Sequence, residues 1–450
     1  MSARRVVLRT VVVAIVLLAL MAGCAAWKLQ HVSTLPPQPA LPVAAGQWLT
    51  GKIGDELPNA ALVRRGQYLA RVGDCLSCHL APDGQPFAGG AGLNTPFGVI
   101  YSANITSDSK TGIGAWTSDQ FYRAMHDGIG ANGERLYPAF PYPWFTRASR
   151  EDDDALLAFL KTVPAVDATP PPNALPFPLN RRAMIAAWDA LFLDRSPLAP
   201  DTQQSMQRNR GAAIVNGLGH CGACHTPKNL LGAEKHGVAF EGALLDNYVA
   251  PDLTENQRTG LAGWSIEEIA EYLRTGRNAH ADAGGRMADV VTYSTALMTD
   301  EDRHAIAVYL KSLAPRADAT AQVPDAGAMK RGAQVYLDAC SACHLADGVG
   351  QPGLFPPLGH NALAQQDDPT GLVHIVLGGS RAAPNATFTS ALTMPTIAWK
   401  LSDQDIADVA TYLRNSWGNQ ASAVSAERVR TLRATLEMQT AHLTDNSEPR

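Results

Sequence analysis

Apolar residues return at helical spacing near the ends of three successive stretches of the chain: Phe159-Leu160, then Ile306 with Tyr309-Leu310, then Ile406 and Val409 with Tyr412-Leu413. Spacings of three and four put such residues on one face, so each stretch predicts an amphipathic helix packed on a core. Polar residues mark where each helix begins. Ser149 with Asp152, Thr299 with Asp302 and Ser402 with Asp405 repeat a hydroxyl followed three residues later by a carboxylate, a pair that satisfies the free amides of a helix start. The aromatic-leucine pair follows at the same distance from the hydroxyl each time, so the register is shared. The run Glu151-Asp152-Asp153-Asp154 reads as solvated charge at the positive end of a helix rather than as a metal site.

The shared register extends into a repeat. Arg65-Gly66, Arg210-Gly211 and Arg331-Gly332 each open a unit. Units one and two also match in their middles, where Asn104-Ile105-Thr106 and Thr111 to Trp116 parallel Asp252-Leu253-Thr254 and Thr259 to Trp264; unit three lacks this stretch. The expected architecture is all-α, with three tandem domains over residues 50–165, 206–315 and 326–418. Proline-rich linkers join them at 166–205 and 316–325. The first linker predicts a short helix near Arg182 to Leu193 whose Trp188 packs between neighbours, and residues 419–450 form a polar, helix-compatible tail.

Composition adds limits. Hydrophobic content of 46%, charged content of 18%, and 37 basic against 42 acidic residues (formal charge -5) describe an ordinary globular chain and exclude a nucleic-acid binder, which needs a strong basic excess. Residues 1–27 stand apart: Arg4, Arg5 and Arg9 precede an apolar run from Thr10 to Trp27, the pattern of an export signal or membrane anchor. The expected location is the periplasmic side of the bacterial cytoplasmic membrane, reached by the general secretory route. Leu20-Met21-Ala22-Gly23-Cys24 resembles a lipoprotein processing site, making Cys24 a candidate for lipidation. The alternatives are a cysteine discarded with a signal peptide or buried in an uncleaved helix.

The other six cysteines carry the chemistry. They fall in CLSCH (75–79), CGACH (221–225) and CSACH (340–344), one per unit. In C-x-x-C-H two thiols can form thioether bonds to haem vinyl groups while the adjacent imidazole binds the iron. Zinc takes four ligands and needs pairs of pairs. A thioredoxin-like motif needs alternating strands and helices around it. Three covalent haem c groups are therefore expected, attached at Cys75, Cys78, Cys221, Cys224, Cys340 and Cys343, with His79, His225 and His344 as axial ligands to iron.

The opposite axial positions are expected from methionines that precede the closing helices: Met394 in unit three and Met287 in unit two, with Met298 as runner-up. Matching units one and two places Phe140 where Met287 stands, and phenylalanine cannot bind iron. Met125 and His126 in unit one read as packing and as a solvated polar residue. The first haem is then five-coordinate or takes a ligand from elsewhere.

The strings CLSCHLAPDGQPFAGG, FGVIYSANIT, TGIGAW, LYPAFPYPW, CGACHTPKNLLGAEK and MPTIAWKLSDQDIADVATYLRNSWGN resemble the triple-haem cytochrome c subunits of bacterial membrane-bound dehydrogenases, such as the alcohol, gluconate, sorbitol and fructose enzymes. The resemblance covers residues 60–418. It implies a non-catalytic electron-transfer subunit with no catalytic residue of its own. The implied partner is a dehydrogenase subunit holding a flavin, quinone or molybdenum cofactor, and the implied acceptor is ubiquinone or a terminal oxidase. Pro227 and Pro352 are expected to help place the carbonyls that orient the imidazoles. Two other functions fit the motifs: a multihaem peroxidase with an open first haem, and the cytochrome subunit of a terminal oxidase.

Overall fold

The computed structural model describes residues 47–245, 247–318, 320–388 and 392–445; Cys24 and the first 27 residues lie outside them. Each unit is built on a pair of packed helices. In unit one α1 (Ala60–Val72) packs on α2 (Arg150–Leu160); in unit two α3 (Met206–Val215) packs on α4 (Asp300–Leu310); in unit three α5 (Ala326–Ala339) packs on α6 (Asp403–Leu413).

The Arg-Gly pairs explain these contacts. A Cβ on Gly66, Gly211 or Gly332 would collide with the backbone carbonyl of Ala155, Ala305 or Asp408, so the helices cross where only glycine fits. The neighbouring arginines tie each crossing with an ion pair: Arg65 to Asp152 at 2.6 Å, Arg210 to Asp302 at 2.7 Å and Arg331 to Asp408 at 2.6 Å.

The capping hydroxyls accept from the expected amides, Asp152, Asp302 and Asp405. Only Asp405 also returns its carboxylate to the cap amide, at 3.0 Å. Asp152 and Asp302 are engaged by the arginines instead, whereas Arg331 reaches one turn further along α6 and leaves Asp405 free for the cap.

The fold is mostly helical, but the all-α expectation omits three antiparallel hairpins: β1–β2 (Gly92–Thr95, Gly98–Tyr101), β3–β4 (Ala243–Leu245, Tyr248–Ala250) and β5–β6 (Ser380–Arg381, Thr393–Met394). Strands this short carry too few alternations to register as a pattern.

Units one and two share one hydrophobic core, in which Leu69, Val72 and Leu76 meet Val215, Leu218 and Tyr309. Unit three has its own, around Tyr336, Val373, Ile406 and Val409. Residues beyond 418 add to it: within the helix Ala426–Asp445, Val429, Leu432 and Leu436 are buried in that core. A polar junction joins units two and three. Arg316 bonds both the fully buried Asp252, at 3.1 Å, and Asp367, at 2.9 Å. Arg258 also reaches Asp367, at 2.9 Å.

The linker helix α7 (Ala183–Phe192) forms where expected, but its packing differs. Its one buried residue is Asp189, which accepts from Arg135 at 2.7 Å and from the Tyr142 hydroxyl at 2.6 Å. Trp188 donates to the Leu231 carbonyl at 2.9 Å, while Met184 and Leu191 face outward.

Candidate functional site

Each C-x-x-C-H motif includes a short helical turn, over Cys75–His79, Gly222–His225 and Ser341–His344. Residues three and four apart share a face of such a turn, so both thiols and the imidazole are brought together.

The three imidazoles are held alike. Nδ1 donates to a backbone carbonyl: His79 to Ala103 at 2.6 Å, His225 to Pro251 at 2.7 Å, His344 to Pro356 at 3.1 Å. A carbonyl can only accept, so Nδ1 carries the hydrogen and Nε2 keeps its lone pair, as an iron ligand requires. Burial lowers the pKa of all three rings, which favours the neutral form that coordinates metal.

The carbonyls are placed by the hairpins and the matched middles of the repeat. In unit one β2 ends at Tyr101, two residues before Ala103; in unit two β4 ends at Ala250, next to Pro251. Immediately afterwards Asn104 Oδ1 accepts from the amide and hydroxyl of Thr106, at 2.9 and 2.7 Å, and Asp252 Oδ1 accepts from those of Thr254, at 2.7 and 2.6 Å. In unit three the turn Gln351–Phe355, which contains Pro352, leads directly into Pro356. The Pro227 carbonyl accepts from the Lys235 amide at 2.8 Å.

A glycine completes each cradle. Gly89, Gly242 and Gly350 donate their amides to the carbonyls of His79, His225 and His344, at 2.9, 2.9 and 3.1 Å, and all three have positive φ. A Cβ on Gly89 would strike the Ala103 carbonyl oxygen, one on Gly350 would strike that of Pro356, and one on Gly242 would press on the Pro251 carbonyl carbon. These glycines and carbonyl acceptors are absent from the expected site residues.

The six thiols are free of disulfides. Burial pushes Cys75, Cys78 and Cys221 up to about 12 and Cys340 to about 11, so they remain thiols rather than reactive thiolates. Cys224 is raised by burial as well and yet is exposed. The turns of units one and two also adjoin: Asp74, which burial pushes up to about 7, acts on the thiols of Cys221 and Cys224, and Gly222 abuts the Trp144 ring.

Downstream of the matched middles, units one and two follow a common frame. Leu136 donates to the carbonyl of Gly128 and Ala283 to that of Gly276, both at 2.7 Å, and both glycines end a helix in the left-handed region. Four residues after those donors stand Phe140, just before the helix Tyr142–Phe145, and Met287, inside the helix Arg286–Tyr293. Phe140 lies among aromatic rings, 5.4 Å from Phe145 and 6.3 Å from Tyr142. Met298, just before the cap of α4, is buried in the shared core. Met394 pairs with Ser380 across β5–β6 and is held at the end of helix Thr370–Gly378.

His126 and Asp153 depart from the solvated reading. Asp153 is fully buried and lies 3.2 Å from His126 Nε2, whose ring stacks on Tyr122. Met125 is buried, as a packing residue should be.

The cytochrome c family profile matches residues 209–314 and 329–417, covering units two and three. The chain is 42% identical to the gluconate 2-dehydrogenase cytochrome c subunit of Pantoea cypripedii, over 85% of this chain and 91% of that one. It is 40% identical to the alcohol dehydrogenase (quinone) cytochrome c subunit of Gluconobacter oxydans (strain 621H), over 83% of each. It is 35% identical to the fructose dehydrogenase cytochrome subunit of Gluconobacter japonicus, over 83% of this chain and 82% of that one. The chain belongs to the family of cytochrome c subunits of dehydrogenases, proteins that carry covalently bound haem c and transfer electrons from a dehydrogenase.

Proposed function

We propose that this subunit carries three haem c groups, one per unit, and passes electrons from a dehydrogenase that oxidises an alcohol, sugar or aldehyde to membrane quinone or a terminal oxidase. The observation that carries the count of three is the threefold histidine cradle, present in unit one although the family profile matches only units two and three. In this reading Cys75, Cys78, Cys221, Cys224, Cys340 and Cys343 attach the groups, and His79, His225 and His344 bind iron. Met287 and Met394 occupy the opposite axial positions. When bound, haem c supplies a one-electron carrier in each unit. The protein's part is to hold the imidazoles neutral and fixed, so that little rearrangement accompanies each transfer.

The relatives' names refer to gluconate, alcohol and fructose, three different substrates, while the cytochrome chains stay 35–42% identical to this one, so the substrate belongs to the partner. The partner's flavin, quinone or molybdenum cofactor is left to the same experiment: copurification with the native partner, followed by mass spectrometry. Attachment to the periplasmic face through the N-terminus or a lipid on Cys24 is tested by the mass of the N-terminal peptide. Haem quantified per chain should be three, and the isolated chain should cycle between redox states without turning over alcohols or sugars. Two haems per chain, or substrate oxidation by the chain alone, would overturn the reading.

Phe140 supports one further reading, an open first iron that admits small ligands such as peroxide. Peroxide turnover by the isolated chain would establish it, and wholly six-coordinate low-spin spectra would exclude it.

A further inference from the structure

Helix α7 carries apolar side chains on its outer face as well as its inner one. Of Ala183-Met184-Ile185-Ala186-Ala187-Trp188-Asp189-Ala190-Leu191-Phe192, the only buried residue is the acid. Asp189 is anchored by Arg135 and Tyr142 on the side where Ile185, Trp188 and Phe192 are half-buried, and that anchor leaves Met184 45% and Leu191 70% exposed on the other. Phe177, at 75%, precedes the helix, and Leu230 and Leu231, at 96% and 57%, lie beside it where Trp188 bonds the Leu231 carbonyl. Apolar surface left in water is unfavourable relative to covering it, and exposed patches of this kind mark contact surfaces.

The charges around the patch indicate what covers it. The chain as a whole is acidic, with a formal charge of -5. Yet the exposed charges at the rim that carry no ion pair among the described residues are cationic: Arg181 and Arg182 at the start of the helix and Lys235 beyond the leucine loop. Of the acids nearby, Asp127 pairs with Arg195 at 2.9 Å, Asp194 lies 4.0 Å from Arg147, and Glu134 accepts from the Asn132 amide at 3.1 Å. An apolar plateau with a cationic rim matches an anionic lipid surface, whose headgroups meet the arginines while the side chains enter the acyl boundary. A ten-residue helix is about 15 Å long, half the hydrocarbon thickness of a bilayer, so it lies in the interface rather than across it. The sequence also places an apolar segment at Thr10–Trp27, joined to Gln47 by residues 28–46, a reach on the order of 60 Å when extended. That reach lets the folded body settle on the bilayer in which such a segment would be held.

We propose that α7, with Phe177 and the Leu230-Leu231 loop, is a second membrane contact, seated flat on anionic lipid. This does not depend on which residues bind iron, and its failure would leave the electron-transfer reading intact. The test uses the full haem-loaded chain in vesicles of phosphatidylcholine and phosphatidylglycerol doped with a photoactivatable lipid, with labelled peptides mapped by mass spectrometry. Label is expected in 176–193 and 228–236, as well as in the N-terminal segment. At the patch it should weaken when phosphatidylglycerol is omitted. It should be lost there in Met184→Glu/Leu191→Glu, with the haem spectrum and N-terminal label unchanged, and retained in Leu191→Met. Label confined to the N-terminal segment would overturn the proposal. So would an unlabelled patch that gains hydrogen-exchange protection only when the dehydrogenase is bound, since the occupant would then be the protein partner.

Discussion

Gly89 and the carbonyl of Ala103 lie so close that a single methyl group between them would displace the oxygen that receives the His79 Nδ1 hydrogen. The same relation ties Gly350 to Pro356 and His344. Gly89→Ala therefore has two expected effects. Strain at a positive φ and the collision should destabilise the fold by roughly 1–3 kcal/mol. A lengthened histidine bond should leave the imidazole less basic and raise the potential of one haem. Denaturant unfolding and a redox titration check the two separately. An unchanged set of potentials would show that the Ala103 carbonyl does not orient the ligand.

Phe140 and Met287 occupy one frame in two units. Phe140→Met is expected to convert the first haem to a six-coordinate, low-spin species and to strengthen the methionine-to-ferric-iron charge-transfer band. Met287→Phe should weaken that band and add a high-spin component. Absorption and electron paramagnetic resonance spectra of the two variants read these changes directly.

The helix crossings predict a graded series. Gly211→Ala should destabilise by roughly 1–3 kcal/mol, because the new methyl group meets the carbonyl of Ala305. Gly263→Ala, where a Cβ meets nothing within 4 Å, should change stability little. Thermal unfolding of the pair separates a crossing glycine from an ordinary one.

Arg316 and Asp252 couple the junction of units two and three to the cradle of His225, because Asp252 follows Pro251 directly. Arg316→Ala leaves a buried carboxylate without its cation and should cost about 3 kcal/mol. Urea unfolding measures the loss, and Asp252→Asn on the same background should recover part of it.

Asp153 gives a pH dependence. Burial pushes its carboxyl up to about 6, with the neighbouring His126 pulling the other way. Between about pH 4 and about pH 6 the folded state keeps a proton that the unfolded chain has released, so this group makes stability fall as pH rises. In Asp153→Asn that fall should vanish, leaving the variant ahead of the native chain at pH 7 by on the order of 2 kcal/mol relative to their difference at pH 4. Unfolding curves across this range would show no divergence if His126 held the carboxylate charged throughout.

Much of the fold is written locally in the chain. Ser149, Thr299 and Ser402 announce their helices because a cap needs one hydroxyl at one place. Arg65, Arg210 and Arg331 mark the units, although their reason, the glycine crossing beside them, needs the packed pair. The histidine cradles are hidden. A backbone acceptor has no side-chain signature, and Ala103, Pro251 and Pro356 follow their histidines by 24, 26 and 12 residues. Asp153 looks solvated because three of its neighbours in sequence are acids, whereas helical geometry turns it alone inward. The apolar residues of α7 suggest burial, and only the position of Asp189 shows which way the helix faces.

The joint core of the first two units bears on how the protein is assembled. Leu76, inside the first motif, is completed by Val215 and Leu218, which are synthesised some 140 residues later. Neither of the first two units buries its apolar face without the other, so the pair is expected to unfold as one cooperative block. The third unit closes a core of its own but also buries Ala383 against Ala283, Ala288 and Val291 of the second, so its stability is expected to lean on that block rather than stand apart from it.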